Sequence, residues 1–115
     1  MKFKALISLK TTKAGGRENK VVKSYRPSLI IKREKTIVRI DCVFEECESI
    51  EPGKSGIATI NISNEKLLST RKINEIAKGL TFDVAEGNKI IGIGIRRNGN
   101  GGSIANIIAF GISPA

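Results

Sequence analysis

Short apolar segments of alternating polarity are the feature that most constrains this chain. In residues 2–10, Phe3, Ala5, Ile7 and Leu9 occupy every second position, and residues 36–45 repeat the pattern. A period of two places such side chains on one face of a β-strand. Further strands are predicted over residues 29–33, 56–63, 80–85 and 89–96, with a short one over residues 21–23.

Turn-forming residues separate these segments. Pro27 has no N–H to donate and is therefore expected at the start of a strand or at a bend. Glu86-Gly87-Asn88 lies between two apolar runs and predicts a hairpin. Gly92 and Gly94 inside a strand predict close approach of a neighbouring backbone or a tight barrel corner. Six or seven short strands of this kind predict an all-β fold, a closed or nearly closed antiparallel barrel without exposed edges.

One domain is expected from 115 residues. The strand that begins at residue 2 is expected to leave no room for a domain before it. Residues 64–78 carry the only helix-like spacing, so a short helix or turn is predicted there, either packed over a barrel end or binding a partner. Residues 98–115 form a C-terminal extension, for which an added strand and an arm exchanged between subunits are both open.

Positive charge is concentrated in the first third of the sequence. The net charge is +9, and residues 1–40 hold 12 Lys or Arg against 2 Asp or Glu, whereas residues 41–115 hold 8 against 9. A basic field attracts phosphate backbones and acidic protein surfaces, but solvated lysines also keep small domains soluble. The stretch from Gly15 to Pro27 presents much of this charge from a predicted loop.

The other polar residues do not predict a metal or catalytic centre. Histidine is absent and there are two cysteines, Cys42 and Cys47, so a zinc site lacks ligands. Two reduced thiols are expected, because five residues of extended strand exceed the ~7 Å Cα separation of a disulfide unless the chain bends. The acids at positions 41, 45, 46, 48 and 51 are expected in a solvated loop, with a cation site or a docking face for a basic partner as the alternative.

Four pieces of sequence, in order, resemble the C-terminal β-barrel domain of translation elongation factor Tu. They are Gly15-Gly16-Arg17, Tyr25-Arg26-Pro27, the turn Pro52-Gly53, and a final stretch that contains Gly79-Leu80-Thr81-Phe82, Glu86-Gly87-Asn88 and Gly92-Ile93-Gly94. The resemblance covers roughly residues 2–95 and implies a six-stranded antiparallel barrel without catalytic groups.

In that family the barrel helps to hold the T stem of aminoacyl-tRNA, and its faces also meet the GTPase domain and the exchange factor. The resemblance therefore implies that Arg17 lies near an RNA backbone and that Glu86 and Gly87 approach the T stem. The family's usual glutamine after the Tyr-Arg-Pro motif is Ser28 here. No G-x-x-x-x-G-K-[ST] motif occurs, which excludes nucleotide hydrolysis. The resemblance does not extend to the GTPase domain or the middle barrel of that factor, and residues 63–78 look longer than the family's connection.

RNA binding, with a tRNA-like backbone as target, is the function that these observations favour. Cations would meet phosphates, which gives affinity without sequence reading, and Glu86-Gly87 would lie against a ribose groove. The expected RNA contacts are Arg17, Lys20, Lys23, Arg26, Ser28, Lys32, Glu86, Gly87 and Lys89. The alternative is a protein-binding module that docks on, or imitates part of, a translation factor.

Enzymatic activity is not expected, because the chain has no histidine and its carboxylates are scattered. No cofactor or metal is expected either. The sequence opens without a signal peptide, and no apolar run approaches the ~20 residues of a membrane span. These features predict a cytoplasmic protein with no membrane partner.

Overall fold

The fold is a small closed β-barrel, seen in a computed structural model that describes residues 2–33, 35–62 and 81–97. These residues form six strands and no helix: β1 (Lys2–Leu9), β2 (Ser28–Arg33), β3 (Thr36–Cys47), β4 (Ser55–Ile62), β5 (Thr81–Glu86) and β6 (Lys89–Arg96). The strands pair in the order β1-β4-β3-β2-β5-β6, and β6 pairs again with β1. The predicted all-β closed antiparallel barrel is confirmed. The segments 64–78 and 98–115 lie outside the described residues.

The barrel interior is filled by the alternating apolar residues that the sequence predicts. Along β1, Phe3, Ala5, Ile7 and Leu9 are all buried and belong to one core cluster. On β3 the same cluster contains Val38, Ile40, Cys42 and Phe44. Burying one such aliphatic or aromatic side chain contributes about 1.5–3 kcal/mol. The core therefore rests on branched aliphatic residues, with few rings.

Two glycines on β6 face this interior. Gly94 pairs with Phe82 of β5 and with Ile7 of β1, and Gly92 pairs with Val84 and Leu9, all of which belong to the core. A Cβ added at Gly94 would overlap the Phe82 ring, and one at Gly92 would lie 2.5 Å from the Ser8 carbonyl oxygen. The predicted close approach of a neighbouring backbone is confirmed at Gly92, whereas at Gly94 the near neighbour is a side chain. Phe82 occupies the space that Gly94 leaves and meets Phe3 edge-on, with ring centroids 6.2 Å apart.

The short strand predicted over residues 21–23 is wrong. Only isolated bridges occur in this part of the chain, from Val21 to Ile50 and from Tyr25 to Phe44. Between them Ser24 adopts a φ of 73°, which interrupts an extended ladder. Pro27, just before β2, is at the strand start that its missing N–H predicts.

The acidic stretch agrees only in part with its prediction as a solvated loop. Glu48 and Glu51 are exposed and lie beyond Cys47, the last residue of β3. Asp41 and Glu45 lie in the strand predicted over residues 36–45, and Glu46 continues that strand. The Glu45 carboxylate is 2.9 Å from the Lys2 ammonium and accepts a hydrogen bond from Asn61. These two contacts, with Lys2 the stronger, hold the pKa of Glu45 below its ordinary value. Glu45 thus joins β3 to its neighbour β4 and to β1.

Strand direction gathers three connections at one end of the barrel, which we call the loop end. Strands β1, β3 and β5 run toward it, and β2, β4 and β6 start from it. It carries residues 10–27, residues 48–54 and the two-residue turn Gly87-Asn88, so the predicted hairpin is confirmed.

Replacing Gly94 with alanine is expected to destabilise the barrel by about 1–3 kcal/mol, because the new methyl group overlaps the Phe82 ring. The urea midpoint of unfolding measures this change. The double variant Gly94→Ala/Phe82→Leu is the control and should recover part of the loss, since leucine vacates the ring space. An unchanged midpoint for Gly94→Ala would contradict the packing described above.

Candidate functional site

The Gly-Gly pair folds the first connection back onto the end of β1. Gly15 has a φ of 92°, a conformation that side chains with a Cβ rarely adopt. Gly16 lies so close to the Lys10 carbonyl that a Cβ would overlap it. The amides of Gly15 and Gly16 donate to the carbonyls of Thr12 and Thr11, at 3.1 and 2.9 Å. These contacts fix the backbone immediately before Arg17.

Arg17 is held on three sides by its own chain. Its guanidinium carbon lies 4.6 Å from the centroid of the Tyr25 ring, within cation–π range. Its Nε donates to the Asn19 carbonyl at 3.1 Å, and its Nη1 is 3.3 Å from a carboxylate oxygen of Glu86. Only 20% of the Arg17 side chain is exposed, against 42% of the Glu86 side chain. We call Arg17, Tyr25 and Glu86 the Arg17 cluster.

A second arginine, Arg39, holds the β5–β6 hairpin through a hydrogen bond. The Nη2 of Arg39, on β3, donates to the Gly87 carbonyl oxygen at 2.6 Å. The turn at Gly87, where φ is 58°, therefore sits between Arg17 on one side and Arg39 on the other. Sequence reasoning missed Arg39. The alternation of residues 36–45 places it on the outer face, but only the strand order brings β3 near the β5–β6 turn.

The Tyr25 hydroxyl is a buried polar group with no hydrogen-bond partner within residues 2–33, 35–62 and 81–97. The Arg17 guanidinium and the Glu86 carboxylate both lie close enough to the hydroxyl to influence its pKa. Burial raises the pKa of Tyr25 to about 12; Arg17 opposes this shift and Glu86 adds to it. A buried hydroxyl left unpaired costs about 1–3 kcal/mol. The ring packs edge-on against Phe44, with centroids 5.5 Å apart.

Of the other residues predicted to contact RNA, three already have partners in the folded chain. The Ser28 hydroxyl is buried and donates to the Asp41 carboxylate at 2.9 Å. Lys23 lies 3.9 Å from the Glu46 carboxylate. Lys32 lies 3.6 Å from Asp83, further along β2 toward the opposite end. The predicted set is thus not one continuous patch.

Lys20, Arg26 and Lys89 remain exposed, and within the described ranges none of them forms an ion pair. Lys20 and Arg26 belong to residues 10–27, and Lys89 begins β6 beside the hairpin turn. All three lie at the loop end. Their charges are therefore available to an anionic partner approaching that end.

Three more lysines join this end and were not predicted. The Leu9 amide donates to the Lys54 carbonyl at 3.0 Å, and the Gly53 amide donates to the Lys10 carbonyl at 3.1 Å. These bonds place the turn at residues 52–54 beside the loop that carries Lys13. Lys10, Lys13 and Lys54 are all exposed, and in the described part of the chain they have no carboxylate partner. The sequence does not predict that Lys10 and Lys54 are neighbours, because they are far apart along the chain and are brought together by the β1–β4 register.

Metal-ligating and nucleophilic groups are not assembled at the loop end. No three Cys, Asp or Glu residues in ranges 2–33, 35–62 and 81–97 could together hold a metal ion. Cys42 and Cys47 are free thiols on β3. Burial raises the pKa of Cys42 to about 12 and that of Cys47 to about 11, so both are protonated at neutral pH.

No family model matches the chain, and a search of curated proteins returned no relative. Among the residues that the structure describes, no helix has the length and apolar character needed to cross a membrane.

The ionisation of Tyr25 tests the geometry of the Arg17 cluster. It is the single tyrosine and tryptophan is absent, so near-ultraviolet absorbance follows this one phenol. We expect a pKa of about 12 in the folded protein, against the ordinary value of 10.0 in urea. Because the folded pKa is the higher one, the phenol's stabilising contribution is complete below pH 10 and is lost as the pH rises toward 12.

Two variants serve as controls for this titration. Arg17→Gln should raise the Tyr25 pKa further, because the guanidinium opposes the shift. Tyr25→Phe should lose less stability than the wild type between pH 10 and pH 12, because it has no phenol to ionise. A Tyr25 pKa near 10 in the folded protein, with circular dichroism unchanged, would contradict the buried placement of the hydroxyl.

Proposed function

We propose that this barrel is a non-enzymatic module that binds the phosphate backbone of RNA through its loop end. The observation that carries the proposal is the group of exposed cations at that end without an ion-pair partner in the described ranges. The group comprises Lys10, Lys13, Lys20, Arg26, Lys54 and Lys89. These cations have no carboxylate contact to break before they bind a phosphate. When they bind, they release the counterions that are condensed on the RNA backbone.

The chemistry of the loop end favours backbone contact over base reading. Among the described residues, Tyr25 is the aromatic ring that is not fully buried, and it is packed against Phe44 and covered by Arg17. It therefore offers no face for a base to stack on. Flexible lysines act as point charges and suit phosphates whose spacing varies. A folded RNA, recognised by shape and backbone, is the target that fits this surface.

The motif resemblance to the C-terminal barrel of elongation factor Tu supports a cytoplasmic, translation-related role with tRNA as the RNA. The resemblance and the cation group concern the same end of the molecule, since Gly15-Gly16-Arg17 and Glu86-Gly87-Asn88 both lie there. The contribution of Lys10, Lys13 and Lys54 is independent of the resemblance, because these lysines are outside its motifs.

Protein docking is the second candidate, and one surface feature favours it. A groove of about 320 Å³ on the outer wall is lined by Ile30, Lys32, Thr81, Phe82, Asp83 and Ile93. Its half-buried aliphatic walls, with the Lys32–Asp83 ion pair, are typical of a shallow protein contact. A protein bound there would be less sensitive to salt than RNA bound at the loop end.

Bulk tRNA should bind with an affinity that falls log-linearly with salt, as counterion release requires. The triple variant Lys20→Gln/Arg26→Gln/Lys89→Gln should lower the magnitude of that slope by about 3, one unit per lost phosphate contact. The measurement is a gel-shift or filter-binding titration at several salt concentrations.

A matched triple variant separates location from net charge. Lys4→Gln/Lys35→Gln/Arg97→Gln removes the same charge away from the loop end and should leave the slope within about one unit of the wild type. Equal effects of the two triples would show attraction to net charge alone. Failure of the wild type to shift tRNA at low salt would reject RNA binding altogether.

A further inference from the structure

The Arg17 guanidinium is held in a position to bind an anion, and a carboxylate of the protein itself, that of Glu86, occupies this position. Its position is fixed by the Gly15-Gly16 turn, its flat side is covered by the Tyr25 ring, and its Nε is used by the Asn19 carbonyl. The contact left over, through Nη1, goes to the Glu86 carboxylate at 3.3 Å. A carboxylate and a phosphate present similar oxygens to a guanidinium, so either can occupy this contact.

The two partners of this ion pair differ in how easily they can leave it. Apart from Glu86, two contacts anchor the Arg17 side chain, with the Tyr25 ring and the Asn19 carbonyl, and 20% of the side chain is exposed. Glu86 is the last residue of β5, and 42% of its side chain is exposed. A rotation about the Glu86 side-chain bonds would move the carboxylate into water without breaking a strand pair. The Gly87 carbonyl, held by Arg39, would keep the hairpin backbone in place meanwhile.

We propose that Glu86 is an internal competitor that occupies the Arg17 site in the free protein, and that an RNA phosphate displaces it when RNA binds. This inference rests on the RNA-binding function proposed above and changes the role of one residue in it. Glu86 was expected to contact RNA favourably, against a ribose groove. As a competitor, it instead lowers the affinity of the loop end for RNA.

Displacement also has a consequence for selectivity. The six unpaired cations attract any polyanion, whereas Arg17 becomes available only to an anion that reaches past Glu86 to the Tyr25 ring. Arg17 is thus the one predicted contact that adds a geometric requirement to the general attraction of the loop end. Its planar guanidinium, fixed in orientation, suits a phosphate presented at a defined position.

The variant Glu86→Asp tests the proposal without a change in charge. The shorter side chain keeps its carboxylate but withdraws it from Arg17, so bulk tRNA should bind about 2- to 5-fold more tightly, the range expected when an exposed ion pair is released. Glu86→Gln should tighten binding at least as much. Glu51→Gln is the control, because it removes one exposed carboxylate of the same end that forms no ion pair in the described ranges.

Arg17→Gln supplies the second half of a double-mutant cycle. In that background Glu86→Asp should no longer change the affinity, since the site that Glu86 blocks is gone. The urea midpoint of each variant checks folding, and the Glu86→Asp and Glu86→Gln pair provides two independent ways to open the contact if one of them unfolds the hairpin.

Each result decides between the possibilities. Tighter binding that exceeds the Glu51→Gln control and disappears without Arg17 supports the competitor role. Weaker or unchanged binding by Glu86→Asp overturns it while tRNA binding stands, and weaker binding restores Glu86 as a direct contact. A gain that persists without Arg17 overturns it as well. Absence of tRNA binding by the wild type at low salt rejects the RNA function, and this inference with it.

Discussion

The barrel closes because β6 carries no side chain at two inward positions. Gly92 and Gly94 let β6 lie against both β1 and β5, and the Phe82 ring occupies the volume next to Gly94. Closure in turn fixes the loop end. The Lys10 amide donates to the Ile91 carbonyl at 2.9 Å, so the first connection starts beside β6 and brings Arg17 to the β5–β6 hairpin. The geometry of the candidate site is thus a consequence of packing inside the barrel.

The fold was largely predictable from the sequence, because alternation along single strands is a local signal. Phe3, Ala5, Ile7 and Leu9 alternate and are buried, and Glu86-Gly87-Asn88 forms the expected hairpin. The misses arose where pairing overrides local composition. Glu46 lies beyond the predicted strand and suggested a loop, yet it continues β3 because β4 offers that strand a partner. Residues 21–23 suggested a strand, yet a positive φ at Ser24 leaves them with a single bridge.

The candidate site was less predictable, since its contacts join residues far apart in sequence. Glycine and charge pointed to Arg17 and Lys20, but no local pattern indicates that Arg39 reaches Gly87 or that Lys54 lies beside Lys10. Arginine and lysine have different roles at the loop end. Arg17 and Arg39 tie the hairpin to the barrel through directed guanidinium contacts, whereas lysines carry most of the charge left to solvent. Counting cations from the sequence cannot separate these uses.

The pairing of β1 with β6 also bears on how this barrel is made. Ala5 of β1 pairs with Arg96 of β6, so the barrel can close only after β6, the last described strand, has been made. Contacts of such long sequence separation slow folding, because the entropy of closing the intervening chain is lost before the contact forms. During synthesis, β1 and β4 can pair early, but β1 keeps an open edge until β6 has left the ribosome. The nascent barrel therefore presents an unpaired strand to its surroundings until β6 is made, and the hairpin that completes the candidate site arrives with β6, the last of the six described strands.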